Sequence, residues 1–199
     1  MAVVEWGKIE KTGQGGGGIF LKLSEGKHKV RLVGKAFEYT KHWDPINVSC
    51  PGKDGGCPIC NRDGDNVART RYAINILDRD DDNKIKILDA GPQVFTAFRD
   101  YWESAKVDPG GKDGPDLIVK VEVPGGDVRR KKYSVIPLQP APFTEEERAM
   151  IKEKELHDLG KIFGHKSVED INEMLSGKPQ GAESSGGGGT EISDKDLEW

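Results

Sequence analysis

Residues 27–60 read KHKVRLVGKAFEYTKHWDPINVSCPGKDGGCPIC, and two patterns meet in them. In the first half, Lys29-Val30-Arg31-Leu32 alternates polar and apolar with period two, as a half-buried strand does. The odd positions are Lys27, Lys29, Arg31, Val33, Lys35, Phe37, Tyr39 and Lys41. Successive strand residues point to opposite faces, so these eight are expected on one face. Five are basic and two aromatic, unless a bulge at Gly34 breaks the alternation. In the second half the hydrophobic period disappears. Gly, Pro and Asp take over, so packing alone cannot hold residues 42–66.

The same half carries all three cysteines of the chain, as His42-x7-Cys50-x6-Cys57-x2-Cys60. Zinc prefers four tetrahedral ligands drawn from thiolate and imidazole, and Cys3His is a standard structural set. In Cys57-Pro58-Ile59-Cys60 a tight turn aims two sulfurs at one point. Gly52, Gly55 and Gly56 permit the bends that bring Cys50 alongside. One structural zinc ion on His42, Cys50, Cys57 and Cys60 is the expectation, with ligation supplying the folding energy of the loop. Four protein ligands leave no open position for a catalytic water. A redox site and three unrelated thiols are the competing readings. His28 is an alternative to His42.

Downstream, Arg69–Leu77 and Lys84–Leu88 read as a hairpin across Asp80-Asp81-Asp82-Asn83. Gln93–Ala105 has apolar residues at 94, 95, 98, 101 and 102, which is helical spacing. Tyr101 and Trp102 are assigned to the core on that spacing. Leu117–Val123 and Arg129–Leu138 form a second hairpin. Thr144 with Glu147 is a capping box that starts a helix, and a short helix is expected over Ser167–Leu175. About five strands and one inserted helix suggest a small barrel, mainly β. The OB-fold is one such barrel and commonly binds oligonucleotides. An SH3-like barrel or a small α+β domain gives a similar string. The expected organisation is a flexible leader over 1–18, a body over 19–142 with a zinc subdomain near 42–66, a helical segment over 143–176, and a disordered acidic tail over 177–199.

The chain has 199 residues, 35% of them apolar and 32% charged, with Gly 26 and Pro 11. The apolar share lies below the usual ~45–50%, so the core is modest and loops are many. No run reaches the ~18 apolar residues of a membrane span. No basic region followed by an apolar stretch opens the chain, so no signal peptide is expected. The net charge of −4 is asymmetric. Residues 1–142 hold 23 Lys+Arg and 20 Asp+Glu, and residues 143–199 hold 7 and 14. A weakly basic body with an acidic end suggests a polyanion-binding surface.

Single-strand binders combine cations for phosphates with exposed aromatics for base stacking. Candidate DNA-binding residues are Lys29, Arg31, Lys35, Phe37, Tyr39, Lys41 and Trp43 from the quoted stretch. Arg69, Arg71 and Tyr72 come from the next strand, and Arg129, Lys131 and Tyr133 from a later basic block. Duplex readers usually insert a helix into the major groove. The helix over 93–105 carries only Arg99 as a cation, which favours single strands. Asp194, Asp196, Leu197, Glu198 and Trp199 are expected to be an acidic, apolar-ended docking peptide, the competing reading being a solubilising tail. No motif offers paired carboxylates on firm elements, and Asp78 with Asp80–Asp82 reads as a solvated turn, so a non-enzymatic role is expected.

Three features together resemble the single-stranded DNA-binding proteins of tailed bacteriophages, the T-even helix-destabilising type. They are the Cys3His loop after a basic strand, the basic-aromatic β-body and the acidic tail. Lys41-His42-Trp43, Cys50, Cys57-Pro58-Ile59-Cys60 and Arg71-Tyr72-Ala73-Ile74 carry the match, over about residues 20–140. The resemblance implies an OB-fold with an inserted zinc subdomain. It implies coating of single strands during replication, recombination and repair in the cytoplasm of an infected bacterium. It also implies recruitment of replication and recombination proteins through the tail. A monomer without membrane association is expected. The family's basic N-terminal region has no counterpart in residues 1–18, whose only cations are Lys8 and Lys11. The last six residues also resemble the acidic, aromatic-ended tip of bacterial single-strand binding proteins. An RNA-binding or transcription-regulating zinc protein is the alternative.

Overall fold

The computed structural model describes residues 18–62 and 68–176. The leader to residue 17 and the tail from 177, with its proposed docking peptide, lie outside the described residues. Among those described, six strands form one open antiparallel sheet. They are β1 (Gly26–His42), β2 (Val48–Ser49), β3 (Arg69–Asp78), β4 (Lys84–Ala90), β5 (Pro115–Glu122) and β6 (Lys132–Pro140), and the order is β4-β3-β1-β5-β6 with β2 paired to β1. Four helices accompany them: α1 (Pro92–Ala105), α2 (Glu145–Lys154), α3 (Leu159–Phe163) and α4 (Val168–Leu175). The chain is therefore mainly β, with helices gathered toward its C-terminal part. No helix among the described residues is long and apolar enough to cross a membrane.

β1 is 17 residues long and serves two partners because it changes direction near Gly34. Gly26–Arg31 pair with β5, and the strand from Val30 to Lys41 pairs with β3. Val33 lies opposite Asn75 and Phe37 opposite Ala73, so residues 34–36 face Ile74 alone. Two extra residues bend the strand without changing the phase of the alternation. Gly34 adopts φ +77°, a region that suits glycine. Its N–H donates to the Gly110 carbonyl at 2.8 Å. A Cβ on Gly110 would lie 2.1 Å from the Gly34 oxygen, so the close approach of this loop requires glycine there.

The even side of β1 (Val30, Leu32) joins Ile74, Ile76, Leu88, Leu117 and Val119 under α1, which contributes Val94, Phe95 and Phe98. α1 packs against β3, β4 and β6, and so lies between the two outermost strands of the sheet. The odd side is covered as well. Val33 and Leu77 pack with Phe143 and Ile151 of α2, while Tyr39, Ala73 and Ile87 pack with Phe163 of α3. The expected capping box starts α2: Thr144 accepts from the Glu147 N–H while the Glu147 carboxylate accepts from the Thr144 N–H. Arg79 fastens this helix to the sheet, ion-pairing with Glu147 and, at 2.9 Å, with Asp116. Ser167 and Asp170 cap α4 in the same way. α3, five residues started by Asp158, has no counterpart in the sequence reading.

Two expectations change. The basic block at 129–131 is not strand: Val128–Arg130 is a short 3-10 turn and β6 begins at Lys132. Trp102, assigned to the core, is 49% exposed and lines an open cleft between α1 and the β1 bulge.

Candidate metal centre and nucleic-acid interface

His42 is the last residue of β1. Pairing of Lys41 with Ser49 and of His42 with Val48 turns the chain back on itself. The Cys50 N–H then donates to the Thr40 carbonyl at 2.9 Å, and the Thr40 hydroxyl donates to the Cys50 carbonyl at 3.1 Å. This places the Cys50 sulfur 3.2 Å from His42 Nε2. The Cys57–Cys60 turn supplies the remaining two sulfurs, at 3.5 and 3.3 Å from the same nitrogen. Cys50 and Cys60 sulfurs are 3.4 Å apart. All four ligand atoms lie within 4.8 Å of one another. Tetrahedral ligation with metal–sulfur bonds of about 2.3 Å and metal–nitrogen bonds near 2.0 Å puts ligand atoms about 3.5–3.8 Å apart. The four residues predicted from spacing are therefore brought together in a set that could hold one metal ion.

The electrostatics point the same way. Burial holds the His42 pKa below its ordinary value, favouring the neutral ring that ligates metals. Burial pushes the Cys60 thiol up to about 12, and the adjacent Cys50 and Cys57 push in the same direction. At Cys57 burial also raises the pKa, but N–H groups of Cys60 and Ile59 outweigh it and hold the thiol below its usual range. Three thiolates in one pocket repel, and a divalent cation removes that penalty. All three cysteines are free thiols.

Little apolar material surrounds this cluster. Val48, Cys50, Cys57 and Ile59 close against Ile171 of α4, with Met174 and Leu175 beside them. Gly55 is obligatory in the turn, since a Cβ there would lie 2.4 Å from the Pro51 oxygen. The loop is thus built from its ligands, its glycines and one borrowed helix.

Next to the cluster, Trp43 is 46% exposed. The Lys41 ammonium lies 5.9 Å and the Arg71 guanidinium 5.7 Å from its ring centroid. Lys41 faces exposed Arg69 across the β1–β3 pair. Arg71 is held by Asp89, with Nε donating to Oδ1 at 2.9 Å and Nη2 to the carbonyl at 3.0 Å. Lys41, Trp43, Arg69 and Arg71 therefore form one patch: a flat ring, two neighbouring cations and a third beside them. Tyr72 follows Arg71 in β3 but points to the opposite face. Its ring packs 5.2 Å from Phe95, and a hydrogen bond to Glu38 holds its pKa above the ordinary value.

The other predicted residues are placed elsewhere. Arg31, 2% exposed, donates to the Gly111 and Lys112 carbonyls and stacks 4.3 Å over Phe143. Tyr39, 7% exposed, donates to Asp89 at 2.9 Å and lies 4.6 Å from Phe163. Both belong to packed layers rather than to an open face. Phe37 is half-buried against Leu159 and Phe163. Lys29 pairs with Asp116 at 3.1 Å. Lys35 is exposed in the β1 bulge. Lys131 donates to the Leu23 carbonyl at 2.8 Å, Tyr133 packs on the main core, and Arg129 is exposed in its turn. Arg31, Val33, Phe37 and Tyr39 of β1 share a side, as the alternation predicts, and Phe143 and the C-terminal helices cover it, whereas Lys35 in the bulge lines a cleft with Leu32, Ile74 and Trp102 of the other side.

Trp102 is the residue that sequence reasoning passed over. Periodicity places it on the apolar stripe of α1, and no pattern in the sequence marks the open cleft beside it. No protein-family model, no curated protein and no solved structure matches the chain.

Proposed function

We propose that the protein binds single-stranded DNA, without catalysis, in the manner of the tailed-phage helix-destabilising proteins it resembles. In this reading it coats and protects strands during replication, recombination and repair, and engages replication proteins through its acidic tail. The observation that carries the reading is the exposed Trp43 flanked by Lys41 and Arg71, with Arg69 alongside and the metal cluster behind. An exposed ring stacks any base, and the cations neutralise adjoining phosphates.

Topology supports it. Without the two-residue β2, the strands run β4-β3-β1-β5-β6, with α1 between β4 and β5. That is the sequence of elements of an OB-fold with its barrel open between β4 and β6. OB-folds take oligonucleotides on strands 2 and 3 and on the loops between strands 1 and 2 and strands 4 and 5. Here those loops correspond to the metal loop bearing Trp43 and to residues 123–131 with Arg129, Arg130 and Lys131.

We assign the metal as one structural zinc ion. Three thiolates and an imidazole exclude hard cations such as magnesium and suit zinc. The ion holds His42, Cys50, Cys57 and Cys60 together, and through them fixes the base of the Trp43 loop.

The test is a titration of the full chain with oligo-dT, followed by the combined fluorescence of its four tryptophans at several salt concentrations, with Trp43→Phe as the control that assigns the quenching to Trp43. Quenching that salt reverses is expected, with a log–log slope of about −0.7 per neutralised phosphate. Arg69→Ala should reduce the slope by about one such unit. Binding that salt leaves unchanged, or that duplex of equal length competes away, overturns the reading. Equal-length RNA as competitor separates it from the RNA-binding alternative: RNA that displaces oligo-dT at equal concentration favours that alternative.

A further inference from the structure

A second aromatic site lies on the opposite side of the sheet from Trp43. α1, the bulge of β1 and the loop at 108–110 enclose a cleft of about 270 Å³. Its floor is apolar, made by Leu32, Ile74, Phe95 and Phe98, and Trp102 forms one wall. Trp102 is 49% exposed although Val94, Phe95 and Phe98 of the same stripe are buried. Lys106, in a left-handed turn at φ +57°, donates its N–H to the Trp102 carbonyl at 2.9 Å. That turn carries its ammonium to 5.6 Å from the indole centroid. Lys35 lines the opposite rim from the bulge.

We infer that this cleft receives one base of the bound single strand, stacked on Trp102, with Lys35 and Lys106 beside its flanking phosphates. The inference rests on the proposed single-strand function and extends it to a second contact point. Three observations select this occupant. The volume lies just below the ~300 Å³ at which pockets begin to hold drug-sized ligands, so it suits one ring system. An apolar floor with a flat aromatic wall recognises the face of a ring. Lys35, which lines the cleft, and Lys106, beside Trp102, have no acidic ion-pair partner among the described residues, whereas Arg99 pairs with Asp100 and Glu103 and Asp108 accepts the Gly110 N–H. Cations flanking a ring site fit a base carried on a phosphate backbone better than a neutral apolar side chain.

Tyr72 and Arg71 are consecutive in β3 and point to opposite faces: Arg71 lies by Trp43, while the Tyr72 ring packs on Phe95 in the cleft floor. Trp43 and Trp102 lie on opposite sides of the sheet, so a dinucleotide is too short to occupy both sites. An oligonucleotide within the usual site size of about 4–16 nucleotides per OB-fold spans them.

The experiment labels the full chain with 5-fluorotryptophan and assigns its fluorine resonances by single Trp→Phe changes. With dT2, the Trp43 resonance should shift and that of Trp102 should stay. With dT12, both should shift. Trp102→Leu, which keeps an apolar wall and removes the ring, should weaken dT12 binding about 5- to 100-fold and leave dT2 binding unchanged. Trp102→Phe should restore dT12 binding to within about threefold. A dT12 complex that shifts Trp43 but not Trp102, or a Trp102→Leu chain that binds dT12 like the parent, overturns the inference while leaving the Trp43 site standing. Thymidine monophosphate that shifts Trp102 as strongly as dT12 at equal nucleotide concentration also overturns it, in favour of a free-nucleotide pocket. If dT12 leaves Trp43 itself unmoved, the single-strand reading fails and this inference falls with it.

Discussion

The sheet and the loop it carries are stabilised by different means. The sheet buries apolar side chains from β1, β3, β4, β5 and α1, with Val30, Ile76, Ile87, Leu88, Leu117 and Val119 fully enclosed. The loop at 43–62 buries few residues of its own, and two of the five in its small core are cysteines of the ligand set. A third, Ile171, comes from α4 more than a hundred residues away. Hydrophobic burial needs no external component; a ligand cluster does. The sheet should therefore fold with or without metal, while the loop and α4 should depend on it. This separation gives the largest expected effect. A chelator, or Cys57→Ser, should abolish amide-exchange protection over 48–62 and 168–175 together and leave β1, β3 and β5 protected. Protection in α4 that survives loss of the metal would show that the helix docks independently of the cluster.

The reverse perturbation sharpens the same contrast. Ile76 is completely buried between β1 and β4 under α1. Ile76→Ala removes three carbons and leaves a cavity, and such changes cost about 2–5 kcal/mol. Denaturant unfolding should report that loss, while the metal affinity of the folded protein stays unchanged. An equal loss of metal affinity under native conditions would mean that sheet and loop form a single cooperative unit.

The same contrast explains what was legible in the sequence. The ligands were readable because metal geometry demands particular residue types at short spacing, and His42, Cys50, Cys57 and Cys60 do converge. Both hairpins were readable because β3–β4 and β5–β6 carry their turn signals between them. The capping box at Thr144 was local as well. What could not be read depends on distant packing. Arg31 and Tyr39 have the types and the phase of an exposed binding face, and only Phe143 and Phe163, far along the chain, bury them. Trp102 shows the converse error, a residue with core spacing left open at a helix end. Whether β4 and β6 approach each other is equally remote from any local pattern.

Between the two regions stands Trp43, supported by the loop and exposed to solvent. It contributes its ring to no core cluster among the described residues. Trp43→Ala should accordingly change global stability by no more than about 0.5 kcal/mol. In binding, loss of one stacked base should cost about 1–3 kcal/mol, measured by anisotropy with a labelled oligo-dT. A variant that loses stability and keeps its affinity would move this residue from the interface into the fold.

Tyr39 marks the seam from the other side, three residues before the first ligand yet packed beneath α3. Its hydroxyl donates to Asp89 at 2.9 Å, and Arg71 donates to the same carboxylate oxygen. Burial pushes the Tyr39 pKa well above the usual tyrosine value, and the Asp89 bond and charge push further, against a smaller opposing effect from Arg71. The folded state therefore holds this proton more tightly than the unfolded chain, whose tyrosines titrate near pH 10. The resulting stability is fully present below pH 10 and declines as pH rises toward the elevated folded-state pKa. Tyr39→Phe removes the bond but leaves Arg71 on Asp89, so at neutral pH it should cost about 1 kcal/mol. The gap between parent and variant should then narrow from pH 10 upward, because the phenylalanine chain has no proton to lose at that position. Urea midpoints for both chains from pH 8 to 11 measure this, and a gap that stays constant across the range would assign the alkaline loss to other groups.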